Sequence, residues 1–334
     1  MSLELLNLFD YETRAQTIIP RDIWGFISGW AQDGLTSKRN REALQAIQLR
    51  PHFLRDVTQR DISTTILGNH ISLPVMISPA GGQILVHSEG ERATAQAAGE
   101  AGTIMVVPTS SGYSIEEVAD VAKGPLWFQL YHCGEEMTTM LVRRAEAAGY
   151  AAIVLTVDTP LPSPKEIDVR NKFHRPEGGR LGNFNPELSK NYLPSHIDST
   201  FFWERPPTIP LTFEGLGWLR SLTSLPLVVK GIRTAGDAEL CVAQGVDAIL
   251  VSNHGGRQMD ATLSSIETLP EVVQSVNGRA EVYMDSGVRR GSDILKALAL
   301  GARAVFIGRP VFWGLAVAGI EGTLEVLKIL HNEL

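Results

Sequence analysis

The feature that most constrains the fold of this chain is a unit that recurs from about residue 74 to the C-terminus. Each unit is a short apolar run rich in β-branched residues, then a polar loop, then an amphipathic helix that stops at glycine. Eight runs are predicted as strands: Pro74–Ser78, Thr103–Val107, Leu126–Tyr131, Ala152–Val157, Pro226–Lys230, Ala248–Ser252, Glu281–Asp285 and Ala304–Ile307. Alternating strands and helices predict a parallel sheet with right-handed crossovers, and apolar strands predict burial on both faces. We therefore expect an α/β fold in which eight strands close into a (β/α)8 barrel, the TIM barrel.

Two segments do not follow this repeat. Residues 1–70 are helical in pattern, at Tyr11–Ile19, Arg21–Ile27 and Ser37–Ala46. They are predicted as an extension packed on the bottom or flank of a barrel formed by residues 71–334. A long loop at about 160–212 separates the fourth strand from the next helix, and a loop of this length in a compact domain is usually a lid or a mobile segment.

Composition and charge exclude several classes of protein. Of the 334 residues, 44% are hydrophobic and 20% are charged, which is typical of a soluble globular chain. The 30 Lys and Arg residues are interleaved with 37 Asp and Glu residues, so the net charge of −7 comes without the basic cluster that nucleic-acid binding requires. Cys133 and Cys241 have no disulfide framework or zinc-ligand spacing, which predicts an intracellular, cytoplasmic protein without a metal site.

No targeting segment or membrane span is predicted. The N-terminal residues lack the basic region and the cleavage site of a signal peptide. The most apolar stretch, Ala297–Ile320, is broken by two arginines and a proline before it reaches the roughly 18 to 20 residues that a membrane span needs.

Polar side chains stand at the carboxyl ends of most of the predicted strands. In (β/α)8 barrels the chemistry takes place at this end, which gives these side chains more weight than their residue types alone. Six of the eight strands end in this way, with Ser78, Gln129, Thr156, Lys230, Ser252 and Asp285 among the residues there. A single such residue could be an ordinary rim group, but the coincidence over six strands predicts a functional site.

The densest group of functional side chains is Ser252–Asp260, which reads Ser-Asn-His-Gly-Gly-Arg-Gln-Met-Asp. His254 offers a proton acceptor near neutral pH, and Arg257 offers a fork-shaped anion clamp. This pair suits proton abstraction next to a carboxylate, whereas the alternative is a hydrogen-bonded turn with an exposed arginine. Asp158, at the end of another strand, could stabilise the imidazolium or cap a helix or turn.

Lys230 ends an apolar strand, where a buried cation must have a partner. The partner could be a carboxylate, a substrate carbonyl in a Schiff base, or an electron-rich cofactor ring that becomes anionic on reduction. Loops rich in glycine and arginine follow the last two strands, at Asp285–Ser292 and Gly308–Pro310. Barrels of this kind bind phosphate at such positions, next to a helix N-terminus, so a phosphate site is predicted there.

Six sequence motifs can be taken together: Ser252–Asp260, Asp285–Asp293, Lys296–Ala302, Ile307–Pro310, Phe128–Tyr131 and Leu155–Pro160. They resemble the FMN-dependent α-hydroxy acid oxidase family, which includes glycolate oxidase, lactate oxidase and mandelate dehydrogenase. The resemblance extends from about Tyr11 to Leu334. It implies FMN as the cofactor and a (β/α)8 barrel, in agreement with the strand count.

The resemblance also implies a role for each residue of the predicted site. His254 is the base that removes a proton from the substrate, and Asp158 supports its charged form. Arg257 holds the substrate carboxylate, Tyr131 lies beside the reacting carbon, and Lys230 lies near the flavin N1 and O2 edge, where it stabilises the reduced ring. The implied flavin contacts are Ser78, Pro79, Ala80, Gln129, Thr156 and Ser252. The implied ribityl-phosphate contacts are Asp285, Gly287, Arg289, Gly308 and Arg309.

The sequence departs from the family pattern around the substrate. Phe26 stands where the family has a carboxylate-binding tyrosine, and Lys165 stands where a second arginine is usual. Pro108 and Ser110 replace a flavin-side serine and a common tryptophan, and Gly81–Gly82 are expected to open the loop after the first strand. Fewer donors and less bulk predict a wider pocket with a weaker carboxylate clamp.

Together these observations predict an FMN enzyme that oxidises a 2-hydroxy acid larger than glycolate to the 2-keto acid, with reoxidation of the flavin by oxygen or another acceptor. The expected partners are a small-molecule substrate and further copies of the chain, as a homotetramer by resemblance. Three alternatives stay open: FMN-dependent oxidation of an amine or a natural-product intermediate, a Schiff-base lyase that uses Lys230, and a flavin-binding barrel without catalysis.

Overall fold

The eight predicted strands form a closed parallel barrel in the computed structural model, which describes residues 5–161, 163, 165–174, 180–184 and 211–334. The strands are the hairpin pair β1 (Thr64–Ile66) and β2 (Asn69–Ile71), and the barrel strands β3 (Val75–Ile77), β4 (Met105–Pro108), β5 (Leu126–Leu130), β6 (Ile153–Thr156), β7 (Leu227–Ile232), β8 (Ala248–Val251), β9 (Glu281–Met284) and β10 (Ala304–Ile307). Each barrel strand pairs in parallel with the next along the chain, and β10 pairs with β3 to close the ring. The predicted (β/α)8 barrel is confirmed.

Helices precede the barrel and connect its strands. They are α1 (Leu8–Ile18), α2 (Arg21–Ser28), α3 (Leu35–Ala46), α4 (Gly90–Glu100), α5 (Ile115–Ala119), α6 (Glu135–Ala147), α7 (Glu166–Arg170), α8 (Phe213–Leu222), α9 (Ala235–Ala243), α10 (Ser265–Val276), α11 (Gly291–Ala299) and α12 (Arg309–Glu333). A capping box starts α10, where Glu267 accepts the Ser264 backbone N–H at 2.9 Å. The long loop predicted at about 160–212 lies mostly outside the described residues, and α7 belongs to the part that is described.

Alternate residues of the barrel strands fill two separate cores. One set points into the barrel and includes Trp127, Tyr283 and Phe306, whose ring centroids lie 5.7 to 6.3 Å apart. The other set, which includes Val75 and Ile77, packs in the core between the barrel and the surrounding helices. Because successive side chains of a strand point to opposite faces, both sets must be apolar, which explains the continuous apolar runs in the sequence.

The hairpin of β1 and β2 closes the amino-terminal end of the barrel. Ile66 and Ile71 belong to the same buried cluster as the barrel interior. The Leu67 backbone N–H donates to Glu281 Oε1, at the first residue of β9, over 3.1 Å. The helical pattern of residues 1–70 did not predict this hairpin, because strands of three residues give little periodic signal.

The helices before the hairpin pack against the last helix and against the carboxyl-terminal end of the barrel. α1 packs along α12, whereas α3 packs against the turn that follows β8, at the carboxyl-terminal end of the barrel. Asp260, after that turn, accepts the backbone N–H groups of Leu35 and Thr36 at 3.2 and 2.7 Å. The expectation that this segment lies at the bottom or flank holds for the hairpin and α1. It is wrong for α2 and α3, which form part of the mouth because Asp260 anchors the start of α3 there.

One helix in the described part of the chain, α12, is long and apolar enough to cross a membrane by length and composition. Most of its apolar stretch is buried, and it packs against α1 and α4. Ala318 and Gly319 depart from helical angles and bend it. These contacts are those of a helix in the core of the barrel protein.

Candidate active site

A cavity opens at the carboxyl-terminal end of the barrel and encloses about 1240 Å³, including its open mouth. Most of the predicted site residues line it: Phe26, Ser78, Pro79, Ala80, Gln129, Tyr131, Lys165, Lys230, His254, Arg257, Asp285, Gly287, Arg289, Gly308 and Arg309. Thr156 is the last residue of β6, Asp158 follows two residues later, and Ser252 directly follows β8. The barrel therefore brings the predicted residues to one place.

A buried network of charged groups supports His254. Asp158 Oδ1 lies 2.8 Å from His254 Nδ1, and Asp158 Oδ2 lies 3.5 Å from Lys230 Nζ. Lys230 donates to Ser252 Oγ at 2.9 Å, and the same hydroxyl oxygen accepts the His254 backbone N–H at 3.0 Å. The contact at Nδ1 leaves Nε2 as the ring nitrogen that can take up a proton.

Burial and the charges of this network determine the protonation states of His254 and Asp158. Burial lowers the pKa of His254, Asp158 acts in the opposite direction, and Lys230 adds to the lowering. Burial by itself would raise the pKa of Asp158, but Lys230 and His254 outweigh it and hold that pKa at about 2. At neutral pH the pair is therefore a neutral imidazole bonded to a carboxylate, which is the state in which His254 can act as a base.

The turn that presents His254 contains three consecutive residues in the left-handed region, with φ of 57° at His254, 67° at Gly255 and 73° at Gly256. Glycine adopts this conformation readily, and a Cβ at Gly256 would lie 2.5 Å from the backbone nitrogen of Ser37 in α3. Asn253 caps the turn by accepting the Gly256 N–H at 3.1 Å. The Gly-Gly pair was the sequence signal for this turn.

Arg257 reaches the cavity beside the end of α2. Its guanidinium carbon lies 5.6 Å from the centroid of the Phe26 ring. Its Nη1 donates to the carbonyl oxygens of Ile27 and Gly29 at 3.0 and 2.9 Å. Burial lowers the pKa of Arg257, and in the described part of the chain no carboxylate forms an ion pair with it. A buried guanidinium in these surroundings suits the binding of an anion.

Tyr131 and Phe26 complete the substrate side of the cavity. Burial raises the pKa of Tyr131, and the charge of Asp158 adds to this, so the phenol stays a hydrogen-bond donor. Phe26 stacks on Phe173, with ring centroids 4.5 Å apart and planes inclined by 12°. Phe173 comes from the long loop and carried no signal in the sequence. The structure thus adds a buried ring that packs against Phe26 without lining the cavity itself, which sequence reasoning missed.

The loops after β3 and β4 approach each other closely. A Cβ at Gly81 would overlap the Ser110 hydroxyl, and a Cβ at Gly82 would lie 3.4 Å from the Phe26 ring. Gly81 therefore lets Ser110 pack into the space that a side chain would take. The expectation that the two glycines open this loop is wrong for Gly81, and the small size of Ser110 is what leaves room in the cavity.

Two further arginines, Arg289 and Arg309, line the cavity, and Arg309 donates to the Ile27 and Gly29 carbonyls that also accept from Arg257. Burial lowers the pKa of Arg289 to about 10 and that of Arg309 to about 9. The Arg309 side chain donates to three backbone carbonyls at 2.9 to 3.3 Å, and Arg289 lies 4.7 Å from the Trp313 ring centroid. Gly308 precedes α12, whose first backbone N–H groups have no partner within the helix. Among the residues described, no carboxylate pairs with either arginine, so a phosphate here would supply their counter-ion.

Two buried polar atoms fit the edge of a flavin ring. Gln129 Oε1 accepts the Thr109 backbone N–H at 3.1 Å, and Gln129 Nε2 is buried with no hydrogen-bond partner among the described residues. Thr156 Oγ1 is likewise buried with no hydrogen-bond partner among the described residues. Because buried polar atoms in native proteins are nearly always hydrogen-bonded, these two suit the polar edge of a bound group. Together with Lys230 and the arginines, they fit the ring and the phosphate of FMN.

Comparison with known proteins agrees with this geometry. A family model described as FMN-dependent dehydrogenase matches residues 15–334. The chain is 46% identical to an L-lactate oxidase of Nostoc sp., over 98% of this chain and 92% of the relative. It is 44% identical to glycolate oxidase 1 of Oryza sativa subsp. japonica, over 99% and 90%. A solved structure of mandelate oxidase with (S)-2-phenylpropionate matches with a TM-score of 0.90 and 40% identity, over 99% of this chain and 92% of that one.

These matches are independent of the contacts in the cavity, and both lead to the same cofactor. The match to the family model extends over both the barrel and most of the N-terminal segment. This chain therefore belongs to the FMN-dependent dehydrogenase family, and it is an oxidoreductase that uses FMN.

Proposed function

We propose that this chain oxidises 2-hydroxy acids to 2-keto acids and that it favours acids with a bulky or aromatic side chain over glycolate. Relatives named lactate oxidase, glycolate oxidase and 2-hydroxyacid oxidase support the reaction class. The observation that carries the proposal is that His254, bonded to the buried Asp158, and the anion site of Arg257 lie in one cavity.

The side chains of the site divide the reaction between them. FMN, when bound, would accept a hydride equivalent from the substrate, that is, two electrons and one proton. Arg257 holds the substrate carboxylate and so orients the hydroxyl-bearing carbon toward Tyr131 and His254. His254 takes up the proton that leaves the substrate at Nε2, and Asp158 stabilises the imidazolium that results. Lys230 would place a positive charge beside the ring of bound FMN, where it would favour the uptake of electrons.

The surroundings of Lys230 favour this reaction over a Schiff-base lyase. Its Nζ lies 3.5 Å from Asp158 Oδ2 and 3.8 Å from Asp285 Oδ2, and it donates to Ser252. Two ion pairs and a hydrogen bond within the protein therefore engage this nitrogen, whereas a Schiff base would require it to attack a substrate carbonyl.

The substrate side of the cavity supports a large acid. Phe26 has no hydroxyl to offer a carboxylate, and its stack with Phe173 presents an aromatic surface. Ser110 lines the cavity with a small side chain. A phenyl or long alkyl group on this surface would gain roughly 25 cal/mol for each Å² of apolar area buried. The solved mandelate oxidase with (S)-2-phenylpropionate is a related protein that holds an aromatic acid.

The test compares kcat/KM for glycolate, lactate, mandelate and a long-chain 2-hydroxy acid in the wild type and in Phe26→Tyr, Lys165→Arg and the double variant. A charge-assisted hydrogen bond contributes about 1.5 to 3 kcal/mol, so each restored donor should raise kcat/KM for glycolate by about ten- to a hundredfold. Lys172→Arg, at an exposed position near α7, is the control and should change nothing. A wild-type optimum at glycolate, or a double variant no better on small acids, would contradict the preference.

We also propose that the chain forms a homotetramer in the cytoplasm. Residues 47–63 contain no helix or strand, and several large apolar side chains on them are exposed: Leu49, Phe53, Leu54 and Val57. Exposed apolar patches of this kind are typical of subunit interfaces. Light scattering should give the mass of four chains, and Phe53→Glu with Leu54→Glu should lower it. A wild-type monomer would contradict the proposal.

The two buried free thiols, Cys133 and Cys241, support the proposed location in the cytoplasm, which cell fractionation tests.

A further inference from the structure

A buried carboxylate that the proposed reaction does not use lies close to the substrate side of the cavity. Asp168, in α7, is 3% exposed, and its Oδ1 has no hydrogen-bond partner in the described part of the chain. Its charge acts on Arg257 and on Lys165, the two cations assigned to the substrate carboxylate. A buried carboxylate next to an anion-binding site is unfavourable for binding, because its negative charge repels that of the bound ligand.

Contacts between α7 and α2 bring Asp168 to this position. The Asp168 backbone N–H donates to the Lys165 carbonyl at 3.1 Å, and the Asp168 carbonyl accepts the Phe173 N–H at 2.9 Å. Phe173 stacks on Phe26, and the Phe26 ring faces the Arg257 guanidinium. Asp168 itself does not line the cavity, but it lies three residues after Lys165, which does, and its carbonyl is bonded to the residue whose ring packs on Phe26.

Asp168 acts on Arg257 and Lys165 through its charge. Arg257 donates to the backbone carbonyls of Ile27 and Gly29, and no ion pair joins it to Asp168. With Asp168 ionised, the charges of Arg257, Lys165 and Asp168 sum to about +1, and with Asp168 neutral they sum to about +2. Burial raises the pKa of Asp168 and outweighs the charges of Arg257 and Lys165, which favour its ionised form.

We propose that Asp168 is a specificity-determining residue that weakens the binding of carboxylate ligands at Arg257 and Lys165 and thereby promotes release of the 2-keto acid. Substrate and product both carry the carboxylate, so Asp168 weakens both alike. Such uniform weakening leaves the chemical step unchanged and keeps the product from occupying the site. The inference rests on the proposed function, because it takes Arg257 and Lys165 as the carboxylate site.

The test uses two ligands that differ in charge, phenylglyoxylate and its neutral amide, on the FMN-loaded protein at pH 8. Dissociation constants come from the change in the visible absorbance of the flavin. Two charges in a medium of effective dielectric constant about 20 interact strongly enough that Asp168→Asn should bind phenylglyoxylate about ten- to fiftyfold more tightly. The amide should change by less than about twofold, since it carries no charge for Asp168 to repel.

Matched variants separate charge from structure. Asp168→Glu keeps the charge and should keep the wild-type ratio of the two dissociation constants. Glu166→Gln removes a carboxylate of α7 that pairs with Arg170 at the surface, and it should leave both constants unchanged. Should Asp168→Asn not yield folded protein with FMN, Asp168→Ser is measured with the same expectation.

Equal or weaker binding of phenylglyoxylate in the neutral variants, or the same change for acid and amide, would overturn the role of Asp168. Failure of the proposed carboxylate site gives a different result. In that case the wild type would bind acid and amide alike, and Arg257→Met would leave their ratio unchanged.

Discussion

Burial and charge oppose each other at His254, and their balance decides the pH range in which it can act as a base. Burial lowers its pKa, Asp158 raises it, and Lys230 lowers it again, with a net pKa below the ordinary value of histidine. Only the neutral imidazole accepts a proton from the substrate. The rate should therefore rise with pH as His254 loses its proton, with the midpoint of the rise below the ordinary pKa of histidine.

Removal of the Asp158 charge tests this balance. In Asp158→Asn the group that favours the imidazolium is gone, so the pKa of His254 should fall further and the acid limb of kcat/KM should move to lower pH. The maximal rate should drop about tenfold or more, because the charged form that arises in the reaction loses its partner. The measurement is the pH profile of kcat/KM in wild type and variant, with FMN content as the control. An acid limb that stays in place or moves to higher pH would show that Asp158 does not set the pKa of His254.

At the scale of elements, the turn after β8 and helix α3 form one unit. The turn closes against α3 at Gly256 and Ser37, and Asp260 binds the first backbone N–H groups of that helix. The same turn carries His254 and Arg257. The position of His254 therefore depends on the packing of α3 against this turn.

Gly256→Ala should disturb this unit, and Gly278→Ala is its matched control. Both residues have φ of 73°, but a Cβ at Gly278 would meet nothing within 4 Å, whereas a Cβ at Gly256 would strike α3. Gly278→Ala should lower the free energy of unfolding by about 1 kcal/mol, and Gly256→Ala by about 2 to 4 kcal/mol. Only Gly256→Ala should also reduce kcat/KM, by about tenfold or more, because His254 moves. Urea unfolding and steady-state kinetics measure both, and equal losses of stability with unchanged kinetics would contradict the coupling.

Elements that are buried on both faces could be predicted from the sequence, and elements defined by contacts between distant segments could not. The barrel strands lie within two residues of the predicted ends, because an apolar run bounded by polar loops is a local signal. The three-residue strands of the hairpin have no such signal. The stack of Phe26 on Phe173 and the fit of Gly81 against Ser110 each depend on two loops that meet only in the folded chain.

At the scale of the whole molecule, the N-terminal segment serves both ends of the barrel. Its hairpin fills the amino-terminal end, and its helices α2 and α3 frame the cavity at the other end. The site residues could be predicted because barrel closure collects strand ends, so residues far apart in sequence share one cavity. Asp168 and Phe173 could not, because nothing in the residue pattern of the long loop shows which of its side chains turn inward.

The reaction itself is tested most directly by the absorbance spectrum of the FMN-loaded protein mixed with mandelate in the absence of oxygen. We predict that the band of oxidised flavin disappears and that about one phenylglyoxylate forms for each flavin. His254→Ala should retain its FMN and lose the band about 10²- to 10⁴-fold more slowly. A flavin that stays oxidised with mandelate and with every other 2-hydroxy acid tried, or a His254→Ala variant that reacts at the wild-type rate, would contradict the proposed reaction.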